Sequence, residues 1–372
     1  MKTFFIFLFL SVGFPLFLNG EEWRQAVQPF DWQFPRDHGA HPDFKTEWWY
    51  FTGNLESDDS GNPRHFGYQL TIFRQGVFLH PEQTHSRWAL RDLFFGHFTI
   101  SEIDKGVFHF SEKVDRGALD QAFSREGSMD VRLREWRIQS LTPPPHEAYQ
   151  LSANESDHAI DLTVTAGKPL ILEGEHGLSL KGPEPGNASY YYSYPRLRTE
   201  GTLRIGNLTT HVHGESWFDH EFSTSSLGKN QVGWDWFCIQ LDDQQELMLY
   251  CMRTQDGHYD ETSSGSWIDA KGQQSPLSKN DFSIQCLSHW KSPHTGGIYP
   301  SQWRILIPSR RLDLIITPRL LDQELRLTEL GNLSYWEGAS SGKGMLDGRP
   351  VTSLGYVELT GYVGSLDQGL KR

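Results

Sequence analysis

Cysteine is scarce in this 372-residue chain: Cys238, Cys251 and Cys286 are the only three, and no C-x-x-C spacing occurs. An odd, widely spaced set supports neither a disulfide framework nor a zinc site, which leaves small hydrophobes buried in strands. Runs of Lys and Arg are also missing, and the net charge is −13. Nothing in the chain could neutralise a nucleic-acid backbone or grip an anionic membrane surface. Beyond the first twenty residues no apolar stretch approaches the length of a membrane span. Almost no segment keeps a 3.6-residue apolar period over ten or more positions. Three common enzyme signatures are absent as well: a Gly-rich phosphate loop, a G-x-S-x-G elbow and an H-E-x-x-H pair. A serine-hydrolase reading therefore has no anchor.

What the chain has in abundance is aromatic side chains, with 13 Trp, 13 Tyr and 23 Phe against 22% charged residues. That is the composition of a globular protein with a large core. Short alternating runs recur with turn chemistry between them. Hairpins are predicted for 47–55 with 65–74, for 94–103 with 107–114, and for the runs meeting at Gly206-Asn207. Two more are predicted for 237–241 with 246–252 and for 305–307 with 312–316. The sum is an all-β protein of antiparallel meanders, closed into barrels or stacked as sandwiches. At Arg134-Glu135 the apolar phase of 131–138 slips by one residue, which predicts a β-bulge. Lys2, the apolar run from Phe4 and the polar Glu21-Glu22 make residues 1–20 a signal peptide. The mature protein is then periplasmic or secreted. At about 150 residues per domain two domains follow, 21–225 and 226–372, meeting near 222–232.

Titratable groups concentrate in 211–221. Counting by two puts His211, His213, Glu215, Trp217, Asp219 and Glu221 on one strand face and Val212, Ser216, Phe218, His220 and Phe222 on the other. His211-x-His213-x-Glu215 has the donors of a two-histidine, one-carboxylate metal site, but a solvent-facing strand is the commoner source of such a run. No metal is assigned. A bulge at Gly214 would turn the two histidines away from Asp219. Asp219 lies between Trp217, Phe218 and Phe222, so an inward orientation would desolvate it and raise its pKa toward general-acid values. Capping a loop or pairing with a cation is the equal alternative. Trp48-Trp49-Tyr50-Phe51, Tyr190-Tyr191-Tyr192 and Trp234-Asp235-Trp236-Phe237 are core packing or the walls of a ligand cavity.

Taken together, Glu47-Trp48-Trp49-Tyr50, Gln69-Leu70-Thr71-Ile72-Phe73-Arg74, His97, Tyr191-Tyr192-Ser193-Tyr194-Pro195-Arg196, Gly214 to Glu221 and Gly233 to Phe237 resemble the AttH-like, carotenoid 1,2-hydratase-related family. That family is also labelled a predicted secreted hydrolase. The resemblance runs in order over essentially the whole mature chain. It implies two consecutive lipocalin-like β-barrels with an apolar ligand, an isoprenoid or lipid, between or within them. It further implies acid chemistry in which a carboxyl protonates an isoprenoid C=C and water captures the cation. Asp219 falls on the family's acid, whereas Tyr190-x-Tyr192 stands where the hydratase pattern has His-x-Trp. On this reading Asp219 is the general acid, Trp217 and Tyr192 line the cation, and Glu47 and His97 are supporting polar groups. Tyr190, Trp49, Arg74 and Trp234 complete the ligand-binding set. No cofactor, nucleic-acid partner or stable membrane span is implied. A non-catalytic lipid or terpenoid carrier is the alternative, and a secreted hydrolase the further one.

Overall fold

The computed structural model describes residues 22–364 apart from 60, 80–89, 143–145, 226, 330 and 332. The expected signal peptide lies outside the described residues. Among them no helix is long and apolar enough to cross a membrane, and the only helices are single 3₁₀ turns.

Two antiparallel sheets make up the protein, and all five predicted hairpins are present. The first is a nearly closed barrel. Its central strands are His65–Gly76, Thr46–Ser57, Leu208–Ser223 and Ala188–Ile205, hydrogen-bonded in that order. Side chains join its two ends: Arg134 Nε meets Asp115 at 2.8 Å and Lys113 Nζ meets Glu135 at 2.6 Å. Phe51, Leu70, Phe98, Leu151 and Phe218 fill the interior. The second sheet is a half-barrel centred on Glu246–Thr254, Gln231–Leu241, Arg349–Val363 and Leu333–Leu346. It closes over Phe237, Leu249, Trp303, Leu314 and Val357. Segment 224–230 joins the sheets.

The central strands of the two sheets face each other, which explains Trp48-Trp49-Tyr50-Phe51. Trp49 and Phe51 enter the barrel interior, and Trp48 and Tyr50 enter the layer between the sheets. A strand covered on both faces loses its apolar-polar alternation. Cys238 and Cys251 are buried in strands, as expected, and Cys286 is exposed. The predicted bulge at Arg134-Glu135 is instead a two-residue turn between Asp130–Leu133 and Trp136–Thr142, with Leu133 paired to Trp136. Arg134 takes the left-handed conformation there, at φ 56°. A turn and a bulge shift the apolar phase alike, so the sequence pattern did not separate them.

Candidate active site

Asp219 reaches the layer between the sheets because its strand keeps strict alternation. The ladder between Thr46–Ser57 and Leu208–Ser223 runs without a register shift from Thr46 opposite Ser223 to Ser57 opposite Val212. Gly214 is therefore not a bulge, correcting that expectation. A Cβ there would come within 2.1 Å of the Asn54 carbonyl oxygen, so close backbone approach is what the glycine serves. The bulge falls on the neighbouring strand, between Tyr194 and Leu197. His213 is exposed and bonds Asp58 and Glu56 at 2.6 and 2.9 Å, while Glu215 pairs with Arg196. His211, His213 and Glu215 thus belong to an outer, polar stretch of the face whose inner end carries Trp217, Asp219 and Glu221.

Every described hydrogen bond to Asp219 comes from an uncharged donor. Tyr191 OH donates at 2.7 Å, Ser193 Oγ at 2.6 Å and Trp217 Nε1 at 2.6 Å. Trp236 Nε1, from the opposite sheet, donates to Tyr191 OH at 3.2 Å. Burial pushes the Asp219 carboxyl up to about 7 against the opposing pull of those three bonds. No arginine or lysine pairs with it among the described residues, so the desolvation cost is not offset by an opposite charge. Ser193 also interacts with Glu173, whose carboxyl burial raises to about 8, with the charge of Asp219 adding to the rise.

The half-barrel contributes two more carboxyls. Glu337 and Glu358 stand directly opposite each other on adjacent strands. Tyr50 OH donates to Glu337 Oε1 and Trp234 Nε1 donates to Glu358 Oε2 at 2.7 Å. Burial raises both, Glu358 to about 7 with the charges of Asp219 and Glu221 adding, and Glu337 well above its usual range with Glu358 adding. Glu358 lies deep between the sheets yet keeps accessible surface. His97 closes the far side of this layer: its Nδ1 is 2.8 Å from Tyr335 OH, and burial lowers its pKa to about 3, leaving a neutral ring. Its Nε2 has no partner.

The predicted site residues therefore divide between two places. Asp219, Trp217, His97 and Trp234 share the layer between the sheets. Glu47, Arg74, Trp49, Tyr190 and Tyr192 point the other way, into the end of the first barrel, where segment 22–45 covers it. Strand parity sends Tyr191, not Tyr190 or Tyr192, to the Asp219 carboxyl. In the barrel end Glu47 accepts from His41 Nδ1 at 2.8 Å, His220 Nε2 at 3.0 Å and Arg74 Nε at 3.1 Å. Arg74 also ties down the carbonyls of His41 and Phe44 and the carboxylate of Asp92. Burial pushes Glu47 up, but the two imidazoles and the guanidinium outweigh it and hold the carboxyl well below its usual range. Tyr192 OH lies between His38 Nδ1 at 2.7 Å and His220 Nδ1 at 3.0 Å. Trp49 donates to the His38 carbonyl, and Tyr190 packs on Phe44 and Phe222.

His41, Glu47 and His220 could offer two imidazoles and a carboxylate to a divalent ion, as could the partly exposed His109, Asp157 and His158. In the first trio both Glu47 oxygens already accept N–H bonds and a guanidinium stands alongside. That arrangement is a saturated clamp.

The family model described as AttH-like matches residues 25–362. The structure superposes on the crystal structure of an AttH-type protein from Nitrosomonas europaea with a TM-score of 0.79 at 34% identity, covering 91% of this chain and 100% of that one. Kievitone hydratase from Nectria haematococca shares the fold, with a TM-score of 0.63 at 15% identity over 86% of this chain and 90% of that one. In sequence, a kievitone hydratase from Fusarium solani subsp. phaseoli is 22% identical over 153 residues, 40% of this chain. The match spans 41% of the length of that curated relative.

Proposed function

The chain belongs to the AttH-like family, and from that premise we propose that it is a hydratase-type enzyme that adds water across a C=C bond of an apolar, isoprenoid-like substrate, with Asp219 as the general acid. The observation that carries this reading is the environment of Asp219: a buried carboxyl with an elevated pKa of about 7 and only neutral hydrogen-bond donors. Such a group keeps a transferable proton near neutral pH, where general acids work best. Relatives named kievitone hydratase support the reaction class.

In the reaction the Asp219 proton passes to one alkene carbon as the π bond breaks. The tertiary cation forms on the other carbon, facing the rings of Trp217 and Trp236, which attract positive charge. A water oxygen bonds that carbon, and its surplus proton returns to the Asp219 carboxylate, which restores the acid. The net change is addition of one water. We propose further that residues 1–20 export the protein, so that the reaction takes place outside the cytoplasm.

Purified protein incubated with kievitone and a panel of terpenoid alkenes in ¹⁸O-labelled water should give a hydrated product carrying the label. Asp219→Asn should lower that rate by about 10²–10⁴ while keeping the fold. Absence of turnover across the panel, with ligands still retained, would instead support the carrier reading.

A further inference from the structure

We propose that the layer between the two sheets takes a ligand whose polar end donates hydrogen bonds and carries no negative charge, and that Glu337 and Glu358 are where that end docks. The inference rests on the reading of this layer as the substrate site, and it names the chemistry that the site accepts.

The supply of donors and acceptors on the two facing sheets is unequal. Glu337 is 1% exposed and its Oε2 has no hydrogen-bond partner, while Oε1 is held by Tyr50. Glu173 is fully buried and its Oε1 is likewise unpartnered. Glu358 uses one oxygen on Trp234. A buried acceptor without a donor is costly, so Glu337 Oε2 and Glu173 Oε1 are placed to take a donor from a ligand.

Charge points the same way. Glu337 and Glu358 are cross-strand neighbours, a placement in which two like charges repel. No described lysine or arginine makes an ion pair with Glu337, Glu358, Asp219 or Glu173. The cations that reach this layer are committed elsewhere: Lys181 Nζ lies 3.0 Å from Glu221 and 3.9 Å from the centre of the Tyr250 ring, Arg319 donates to Asn54, and Arg196 is held by Glu246 and Glu215. Lys181 also shows how the layer treats a positive group, seating it between a carboxylate and an aromatic face. Beside Glu358 and Glu337 stand Trp234 and Tyr50, which meet the carboxyls through an N–H and an O–H. A carboxylate or phosphate ester would add a further negative charge to a set of carboxyls that no described cation offsets. A hydroxyl or an ammonium meets both requirements, and the ammonium adds attraction to the rings.

Three isoprenoid probes of matched chain test this at pH 7.5: farnesol, farnesylamine and farnesoic acid, titrated against intrinsic tryptophan fluorescence and checked by native mass spectrometry. Farnesol and farnesylamine are expected to bind at least about ten-fold more tightly than farnesoic acid. Glu358→Gln and Glu337→Gln should each shrink the amine-to-acid preference several-fold, with melting curves confirming that each variant folds. Tighter binding of farnesoic acid, or a preference unmoved by both variants, overturns the inference and leaves the substrate site standing. Failure of all three probes to bind overturns the site reading and the inference with it.

Discussion

Glu47 and Asp219 are buried carboxyls on hydrogen-bonded neighbouring strands, and their pKa values move in opposite directions. Glu47 faces the barrel end, where His41, His220 and Arg74 supply N–H donors and Arg74 and His41 supply positive charge. Asp219 faces the half-barrel, where a phenol, a hydroxyl and an indole supply donors without charge. Burial penalises the charged form of both. The sign of the outcome is set by whether an opposite charge is there to offset the penalty. One face of a two-strand ribbon thus carries a permanently ionised clamp and the other a carboxyl free to exchange its proton. The clamp holds segment 22–45 across the barrel end; the second face is where the chemistry is proposed.

The sharpest way to break this comparison is to remove the cation from the clamp. Arg74→Met should destabilise the protein by about 3–5 kcal/mol, because it leaves Glu47 and Asp92 facing each other across a buried gap without their shared partner. Asp219→Asn should change stability by less than about 1 kcal/mol, or raise it at pH 8, since it removes a desolvated charge that no cation offsets. Urea unfolding midpoints at pH 8 measure both. Equal losses in the two variants would mean that Asp219 is a structural carboxylate and that the contrast is illusory.

Next in size is the dependence of stability on pH. The carboxyls between the sheets have folded pKa values raised to about 7 for Asp219 and Glu358 and about 8 for Glu173. Their contribution is fully present below the unfolded carboxyl pKa, near 4, and is lost as pH rises through 7 to 8. The clamp carboxyls Glu47 and Asp37 are lowered, so their contribution is present above that value and is lost as pH falls below it. Stability should peak between about pH 4 and 6 and fall toward pH 8.5 by a few kcal/mol. Glu358→Gln should flatten the alkaline side and leave the acid side unchanged. A curve that rises steadily to pH 8.5 would contradict the unpaired state of the inter-sheet carboxyls.

Much of the fold was legible in the sequence because hairpins are local. Asp104-Lys105-Gly106 and Gly206-Asn207 mark turns that the structure contains, and the runs beside them alternate. Asp219 was legible for the same reason: its flanking aromatics and its parity lie within a few residues. Glu173, Glu337 and Glu358 were not. Glu337 and Glu358 are each a single carboxyl in a mostly apolar stretch and join this layer only when two sheets far apart in sequence pack face to face, while Glu173 sits beside Glu175 and His176 in a short irregular stretch. A carboxyl alternating with core residues, as Glu337 does beside Trp336, is the one local signal that could have marked it. In the triple tyrosine 190–192 no residue type distinguishes the faces, so parity had to come from the ladder, which puts Tyr191 beside Asp219 and Tyr190 and Tyr192 in the barrel end. Glu47 and Arg74 stood in motifs that the family shares, but a motif does not say which face of a strand its residues occupy.

The smallest expected effect isolates a single bond at Asp219. Tyr191 OH donates to Asp219 Oδ2 and itself accepts from Trp236 Nε1, so this hydroxyl links the acid to the half-barrel. Tyr191→Phe keeps the ring and its packing and removes only the hydroxyl, a loss of about 1 kcal/mol in stability. The bond favours the ionised carboxyl, and without it the titration of Asp219 should move upward from about 7. Carbon-13 NMR of labelled aspartate carboxyls reads that shift directly. In Glu47→Gln the same Asp219 resonance should titrate where it does in the unaltered protein, because the clamp faces the opposite side of the strand pair. A shift of Asp219 in Glu47→Gln as large as that in Tyr191→Phe would show that the two faces share one electrostatic environment, and the division between clamp and catalytic layer would have to be abandoned.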